Sequence, residues 1–394
     1  MRSIDGILHF YPPPPPPCVL PRLKIAGKLF LYVFFVSLFI PGIFLNNRSE
    51  LKLPDNRLAA FSPRLKITET KKINENYTRD WDAYLNDRFG WRSVLIELSR
   101  LLKKSHVAIQ NGLTLYGKNG WEFYAGENSI QNYQNIHLFS DDELKRAADY
   151  LSTLDNWCNT HGKRFYLFIA PDKNKIYGEF YPSVIKKINP DSKSRANQLV
   201  NFLRANTSIK VVYPYDVLHE HKKDGLLYWA ENNTHWNELG AYYGYADLMK
   251  TMQIEPIGFT RLRRSRKPIL KDGNIYLVPD IPNMADYDDI YSNQLYKLCK
   301  FQSLPPPDGY KNITENRACH NENGKYNVFM FRDSFGQSLT PYLANTFKDM
   351  TLVWRQNVTT QDLEYIKDNN VDIVIDEIVE RYITAYSHLE FPKE

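Results

Sequence analysis

Most of the chain beyond residue 117 alternates short apolar runs with stretches of helical period. Five runs have the length and apolar composition of buried strands: FYLFIA from Phe165, IKVVY from Ile209, YNVFMF from Tyr326, MTLVW from Met350 and VDIVI from Val371. Helical stretches separate most of these runs. The alternation predicts an α/β domain, a parallel sheet flanked by helices on both faces, whose ligands bind at the carboxyl ends of the strands.

The best-defined helix begins beside Ser140. Ser140 and Glu143 have the spacing of a capping box, in which each side chain bonds the other residue's backbone amide. One helical face then carries four apolar residues: Leu144, Ala147, Leu151 and Leu154. Gly162 predicts the end of this helix, just ahead of the first buried strand.

A charge-free apolar segment, residues 29–45, lies near the start of the sequence. With the apolar residues before Lys28, it approaches the roughly 20 residues that span a bilayer. The basic residues Arg22, Lys24 and Lys28 indicate that the amino-terminus stays in the cytoplasm. A cleaved signal peptide would have a shorter apolar run and small residues at its end. We therefore expect an uncleaved transmembrane anchor over residues 24–46.

The other segments are defined relative to this anchor. Residues 1–23 are expected to form a cytoplasmic tail, whose six prolines at 12–17 cannot pack into a core. Residues 47–105 have the pattern of a polar lead-in followed by helix. Residues 106–394 contain the predicted α/β domain.

Composition excludes several classes of protein. The 394 residues are 43% hydrophobic and 24% charged, which rules out a disordered chain and a small disulfide-stapled module. The 50 Lys and Arg barely exceed the 45 Asp and Glu, too small an excess to indicate a nucleic-acid partner. No Cys or His cluster has the spacing of metal ligands, so we predict neither a metal nor a cofactor.

Three of the four cysteines lie after the predicted anchor, where an oxidising compartment permits disulfides. Cys299 and Cys319 lie in a loop-rich stretch, and we expect them to pair. Cys158 lies in a helical pattern, which favours a buried thiol.

The first candidate for chemistry is RDSFG, residues 332–336, between a predicted strand and a predicted helix. A serine in such a turn exposes its hydroxyl above the sheet edge, where the free amides of the helix start can stabilise an oxyanion. Ser334 therefore fits acyl transfer. Serine is also an ordinary helix N-cap residue, so capping remains the alternative.

The second candidate is NNTHWNELGAYYGY, residues 232–245. His235 lies just before Asn237, a natural helix N-cap, and can act as a base toward Ser334 while a side chain two residues earlier orients its ring. The alternative is a histidine that only bonds a loop carbonyl.

The third candidate is APDKNKIYGEFYP, residues 170–182, which begins where the first strand ends. Lys173, Lys175 and Tyr177 are placed to hold a polar or anionic ligand there. A solvated loop is the alternative.

Taken together, these segments resemble the SGNH-hydrolase-like proteins of exopolysaccharide O-acetylation, the AlgJ and AlgX group. Six matching pieces occur in family order: PDNRLAAFSP, YGKNGWEFY, APDKNKIYGEFYP, NTHWNELGAYYGY, RDSFG and DEIVER. The resemblance implies a circularly permuted SGNH domain, because the histidine segment precedes the serine. It also implies acetyl transfer to a polysaccharide acceptor in the periplasm, with a membrane-bound acyltransferase supplying the acetyl group and a single-pass protein at the bacterial inner membrane.

By this resemblance the nucleophile is Ser334, the base is His235, and the orienting aspartate is replaced by Asn233. An amide can hold the ring but cannot offer a carboxylate to the imidazolium. Arg332 stands where the usual motif has glycine, either as a rim charge or as a contact for an acidic glycan. We predict substrate-binding roles for four residues: Lys173, Tyr177, Arg332 and Trp236.

Two other classes of protein remain open. A non-catalytic glycan-binding or scaffold subunit is favoured by the exchange at Asn233. A membrane-anchored glycosyltransferase is suggested by DYD at residues 286–288, which fits the metal-binding DxD pattern; manganese dependence would distinguish it.

Overall fold

The structure is a computed structural model of the whole chain, and its coordinates divide into two units, residues 1–102 and 103–394. It describes the following residues: 27–28, 30–32, 34–35, 59–65, 73–88, 109–110, 113–231, 233–265, 275–281, 299–301, 317–354 and 357–392. The predicted tail 1–23 and the DYD motif at 286–288 lie outside these ranges, as do most positions of the predicted anchor.

Helix α1, Tyr77–Arg88, is the main described element of the first unit. Asp87 accepts the amide of Ala60 at 3.0 Å and Arg88 donates to the Ala60 carbonyl at 2.7 Å, so the end of the helix holds the preceding segment. The described positions between 27 and 35 are helical. Within the described residues, no helix has both the length and the apolarity needed to cross a bilayer. The anchor over 24–46 stays a prediction.

The second unit is built on a mixed sheet. The described strands of this unit are β1 Ile109–Gln110, β2 Thr114–Tyr116, β3 Glu122–Tyr124, β4 Arg164–Ala170, β5 Lys210–Val212, β6 Arg261–Arg264, β7 Leu277–Asp280, β8 Cys299–Phe301, β9 Arg317–His320, β10 Asn327–Arg332, β11 Asp349–Trp354 and β12 Ile373–Val379. In the described part of the chain the largest sheet has the order β5-β4-β12-β10-β11-β9-β8. All five predicted strands lie in it, as β4, β5, β10, β11 and β12.

Neighbouring strands from β5 to β11 are parallel, as predicted, with Phe331 on β10 opposite Asp376 on β12. The prediction of a purely parallel sheet was wrong at one edge. There β9 pairs antiparallel with β11, and β8 pairs antiparallel with β9. Short antiparallel strands added at an edge do not need a helical crossover, so no helix-period signal marks them.

Helices cover both faces of this sheet. They are α2 Ser129–Gln134, α3 Asp141–Thr160, α4 Lys173–Ile176, α5 Arg195–Asn206, α6 Tyr215–His221, α7 Glu238–Met252, α8 Ser334–Thr346 and α9 Thr360–Asp368. Apolar residues of α7 and α8 pack on one face, and those of α3, α5 and α9 pack on the other. The predicted capping box at Ser140 and Glu143 is present at the start of α3. Burying a layer of side chains on each face is the main stabilising contribution.

The cysteines occupy different environments. Cys158 on α3 is a buried free thiol, as predicted. Cys319 is disulfide-bonded, and the residue directly opposite it in the antiparallel register is Cys299. This register supports the predicted pairing of Cys299 with Cys319, although the two residues lie on edge strands rather than in the loop-rich stretch that the sequence suggested.

Candidate active site

The turn that carries Ser334 joins β10 to α8 at the carboxyl edge of the sheet. Asp333 caps the helix: its Oδ1 accepts the amide of Phe335 at 2.7 Å, and its Oδ2 accepts the amide of Val379 on β12 at 2.7 Å. Ser334 is half-buried, and its side chain has no hydrogen-bond partner among the described residues. Because Asp333 supplies the cap, the capping alternative for Ser334 is wrong, and its hydroxyl stays available for chemistry.

His235 lies in the loop before α7 and is held by Asn233. The Oδ1 atom of Asn233 accepts both the backbone amide of His235, at 2.9 Å, and its ring Nδ1, at 2.7 Å. Asn237 caps α7 as predicted, with its Oδ1 accepting the Gly240 amide at 3.1 Å. The side chain two residues before the histidine therefore orients the ring.

These two bonds determine the tautomer of His235. A backbone amide is only a donor, so the atom of Asn233 that faces it must be the oxygen. The same oxygen then requires a proton on Nδ1, which leaves the lone pair on Nε2. Nε2 is buried and has no hydrogen-bond partner in the described part of the chain. This is the protonation state that a general base needs.

The charges around His235 oppose its protonation. Burial lowers the pKa of His235 to about 4, and the positive charges of Arg381 and Lys173 add to the effect. The imidazole is therefore neutral at neutral pH. A carboxylate that would stabilise the imidazolium is missing at position 233, where the side chain is an amide.

The histidine loop and the serine turn are joined through Phe335, the residue after Ser334. The indole Nε1 of Trp236 donates to the Phe335 carbonyl at 3.1 Å. The His235 ring packs on the Phe335 ring with their centroids 4.7 Å apart. The fold thus brings together the two segments that the sequence singled out, across about one hundred intervening residues.

Lys173 lies behind the histidine loop rather than in a ligand site. Its Nζ donates to three backbone carbonyls, of Glu122 at 2.5 Å, Ala230 at 3.0 Å and Asn233 at 3.0 Å. These bonds use its three donors, and burial lowers the pKa of Lys173 to about 7. The lysine therefore positions the loop of Asn233, and direct substrate binding by Lys173 is not what the structure shows.

The other residues with predicted substrate contacts are also buried. The exposed fractions are 3% for Lys173, 2% for Tyr177, 0% for Trp236 and 1% for Arg332. The Tyr177 hydroxyl accepts the amide of Leu227 at 2.9 Å, and the Arg332 guanidinium lies over the Trp354 ring, 4.8 Å from its centroid. Arg332 is thus no rim charge. The register of β10 places its side chain under the serine turn, which no local sequence pattern indicates. Lys175 is buried as well and bonds Asn135.

Sequence reasoning gave no role to Arg381 and Asp172. Arg381 Nη1 donates to Asp172 Oδ1 at 2.5 Å, and its Nε lies 3.5 Å from Glu127 Oε2. Its guanidinium also contacts three aromatic rings, those of Tyr124, Phe335 and Tyr382. One signal in the sequence could have indicated a role for Arg381. In VDIVIDEIVER, charged residues continue directly from a buried strand, and charged residues are rarely buried without partners.

In the residues that the structure describes, no group of three or more His, Cys, Asp or Glu side chains is arranged to hold a metal ion.

Comparison with known families bears on the domain. Residues 114–270 match the family model described as "SGNH hydrolase-like domain, acetyltransferase AlgX". The resemblance predicted from the sequence is confirmed. The matched range contains His235 and Asn233 and ends before Ser334, so the match speaks for the domain and not for the nucleophile. No curated protein matches the chain.

Three solved structures are similar to the chain at low identity. A DHHW family protein from Eubacterium siraeum is 16% identical, over 73% of this chain and 98% of its own, with a TM-score of 0.48. Bacillus cereus PatB1 with a sulfonyl adduct is 17% identical, over 73% and 100%, with a TM-score of 0.47. The O-acetyltransferase domain of Pseudomonas putida AlgJ is 13% identical, over 69% and 92%, with a TM-score of 0.39.

Proposed function

We propose that this chain transfers acetyl groups to hydroxyls of an extracytoplasmic polysaccharide through an acetyl ester on Ser334. The observation that carries the proposal is the state of His235. Its Nδ1 proton is held by Asn233, its Nε2 lone pair is buried without a partner, and its loop is bonded to the residue after Ser334. A neutral histidine with a free Nε2 lone pair can accept the proton of a hydroxyl group that reaches it.

In the first half of the reaction, Ser334 Oγ attacks the acetyl carbonyl carbon of the donor while Nε2 of His235 takes the hydroxyl proton. The new ester bond to Oγ forms, and the bond between the acetyl group and the donor's leaving atom breaks. The leaving group departs with the proton from the imidazolium.

In the second half, a sugar hydroxyl attacks the acetyl ester while Nε2 takes its proton. The acetyl group moves to the sugar oxygen, and the proton returns to Ser334 Oγ. Water in place of the sugar would make the same site an esterase. Asn233 holds the ring through both halves but gives its positive charge no carboxylate, so the imidazolium is less stable than in an aspartate triad.

The cellular setting is part of the proposal. A membrane-bound acyltransferase is the expected source of acetyl groups. The anchor predicted over residues 24–46 would hold the chain at the inner membrane by a single pass, with the domain in the periplasm. A reporter fused at the carboxyl end that works only in the periplasm should be active, and activity of a cytoplasm-only reporter would reverse this topology.

The test of the proposal is mass spectrometry of the full chain after incubation with an activated acetyl ester such as p-nitrophenyl acetate. The expected product carries one acetyl group on Ser334. Ser338→Ala is the matched control, since Ser338 lies one turn further along the same helix, and this variant should still be acetylated. Absence of acetylation at Ser334 in the folded wild-type chain would refute the covalent mechanism.

A glycan-binding subunit without catalysis is the second candidate. The amide at Asn233 favours it, because exchange of a triad carboxylate for an amide can cost about 10⁴ in turnover. Retained affinity for a polysaccharide with no ester turnover by the wild-type chain would select this function.

A further inference from the structure

Glu377 lies beneath the turn that carries Ser334. It is on β12 and is fully buried, at 0% exposure. Its Oε2 accepts the amide of Asp333 at 3.0 Å. The same carboxyl group lies against Gly336, so one side chain from a neighbouring strand contacts the backbone on both sides of the nucleophile.

Gly336 lets the first turn of α8 lie directly on this carboxylate. A Cβ atom at position 336 would be 2.4 Å from Glu377 Oε2 and 2.8 Å from Arg332 Cβ. Neither contact is possible without movement. The last residue of RDSFG is therefore explained by the side chain that lies under it.

Arg332 is the positive charge that accompanies Glu377. Phe331 and Asp376 are opposite one another on β10 and β12, so Arg332 and Glu377 are the next residues along the two strands. Burial and the nearby Asp333 raise the pKa of Glu377 well above its usual value, while Arg332 and the nearby backbone amides act in the opposite direction. The arginine thus offsets part of the cost of burying a carboxyl group.

The amides on either side of Ser334 have acceptors. That of Asp333 bonds Glu377, and that of Phe335 bonds Asp333. The amide of Ser334, between them, has no acceptor in the described part of the chain. A free amide at the nucleophile is what an oxyanion hole requires.

We propose that Glu377 is a positioning residue for the reaction: it fixes the turn so that the amide of Ser334 stays free to stabilise the oxyanion. This inference rests on the proposed acetyl transfer. In the described part of the chain Glu377 makes no hydrogen bond to Ser334, and it acts through its bond to the Asp333 amide and its contact with Gly336.

The test compares Glu377→Ala with Asp376→Ala. Asp376 is the neighbouring residue on β12 and is also buried, at 1% exposure. Val374 and Ile378, two positions before and after it, lie in the core on the opposite face of the sheet, so alternation places Asp376 on that face. It controls for the loss of a buried carboxyl group. Ester turnover by Glu377→Ala should fall about 10²-fold in kcat with little change in KM, the usual cost of a misplaced oxyanion donor. Glu377→Gln keeps an oxygen acceptor and should stay within about tenfold of the wild type.

Amide hydrogen exchange gives a readout that does not depend on activity. In Glu377→Ala the amide of Asp333 should lose protection, whereas in Asp376→Ala it should keep it. If Glu377→Ala does not fold, Gly336→Ala displaces the same carboxyl group and should show the same loss of kcat. Unchanged protection at the Asp333 amide in Glu377→Ala, or equal kcat in the two alanine variants, would overturn the inference.

Failure of the acetyl-transfer proposal would look different. A wild-type chain without ester turnover refutes that proposal, while hydrogen exchange still decides whether Glu377 holds the turn.

Discussion

The loop of His235 and the turn of Ser334 expose opposite ends of the peptide group, and the protein holds them with side chains of opposite hydrogen-bonding type. The loop presents carbonyl oxygens, to which the buried Nζ of Lys173 donates. The turn presents amides, which the carboxyl oxygens of Asp333 and Glu377 accept. Helix starts leave their first amides unpaired, and side-chain oxygens can satisfy them. Free carbonyls need a donor, which a lysine supplies.

This comparison explains why residues that suggest ligand binding are buried. A lysine or arginine next to a reactive segment can either bind the substrate or position the segment itself. In this site Lys173 has no donor left for a substrate, and Arg332 accompanies Glu377 beneath the turn. Lys173 and Arg332 therefore position the reactive segments and do not bind the substrate.

The largest expected effect is that of Ser334→Ala, which removes the proposed nucleophile. Acetyl transfer should fall by roughly 10⁴ to 10⁶, the usual cost of losing a nucleophile. The measurement is ester turnover, with the melting temperature as a check on folding. An Ala variant that is stable and fully active would remove the serine from the mechanism.

Lys173→Met tests the bonds that Lys173 donates to the backbone carbonyls around the histidine loop. Three buried carbonyls lose their donor, at about 1 to 3 kcal/mol each where no water replaces it, so stability should fall by about 3 kcal/mol or more. Turnover should also fall, because the loop of Asn233 is no longer fixed. Thermal unfolding and ester turnover measure the two effects.

Lys175→Met is the control for this variant. Lys175 is equally buried on α4 but bonds Asn135, away from the histidine loop. The Lys175→Met variant should lose stability, and its turnover per folded molecule should stay the same. If the two methionine variants lose turnover equally, Lys173 has no special relation to the loop.

Asn233→Asp tests the missing carboxylate. The neutral imidazole is the active form, so the wild-type rate should fall only as the pH approaches the His235 pKa of about 4. A carboxylate at Nδ1 favours the imidazolium and raises this pKa, so the acid limb of the pH profile should move to higher pH. The plateau rate should be equal or higher.

The pH profile of ester turnover measures this shift, with Asn237→Asp as the control. Asn237 is in the same segment. Its Oδ1 caps α7, as an aspartate oxygen also can, and its Nδ2 donates to the Leu226 carbonyl at 2.6 Å, a bond that aspartate cannot make. This variant should lose some stability and leave the acid limb in place. An acid limb that stays in place in Asn233→Asp would show that His235 is not the titrating base.

Asn237→Ala should have the smallest effect. It removes the cap of α7, at about 1 kcal/mol of stability. It also removes the bond from Asn237 Nδ2 to the Leu226 carbonyl, at about a further 1 kcal/mol. Neither bond involves His235 or Ser334, so turnover per folded molecule should change little. Chemical denaturation is the measurement, and a large loss of turnover in the folded variant would mean that Asn237 also positions His235.

The sequence predicted the features that depend on local pattern. The buried strands, the capping box at Ser140, the cap at Asn237 and the pairing of Asn233 with His235 all involve residues within a few positions of one another. Apolar run length and cap spacing are enough to identify such features.

The features that the sequence did not predict depend on contacts between distant segments. Lys173 bonds a carbonyl 60 positions away, and Glu377 bonds an amide 44 positions before it. Strand order and register determine which backbone group each of these side chains reaches. Asp333, rather than Ser334, caps α8 because its second oxygen also finds the Val379 amide on β12.

The central claim is that His235 activates Ser334, and the most direct measurement is the rate at which an activated acetyl ester acetylates Ser334, followed by mass spectrometry in the wild-type chain and in His235→Ala. We predict that the wild type forms the Ser334 ester and that the variant forms it about 10² to 10⁴ times more slowly, the usual contribution of a general base. Equal rates of Ser334 acetylation in the two chains would contradict the account.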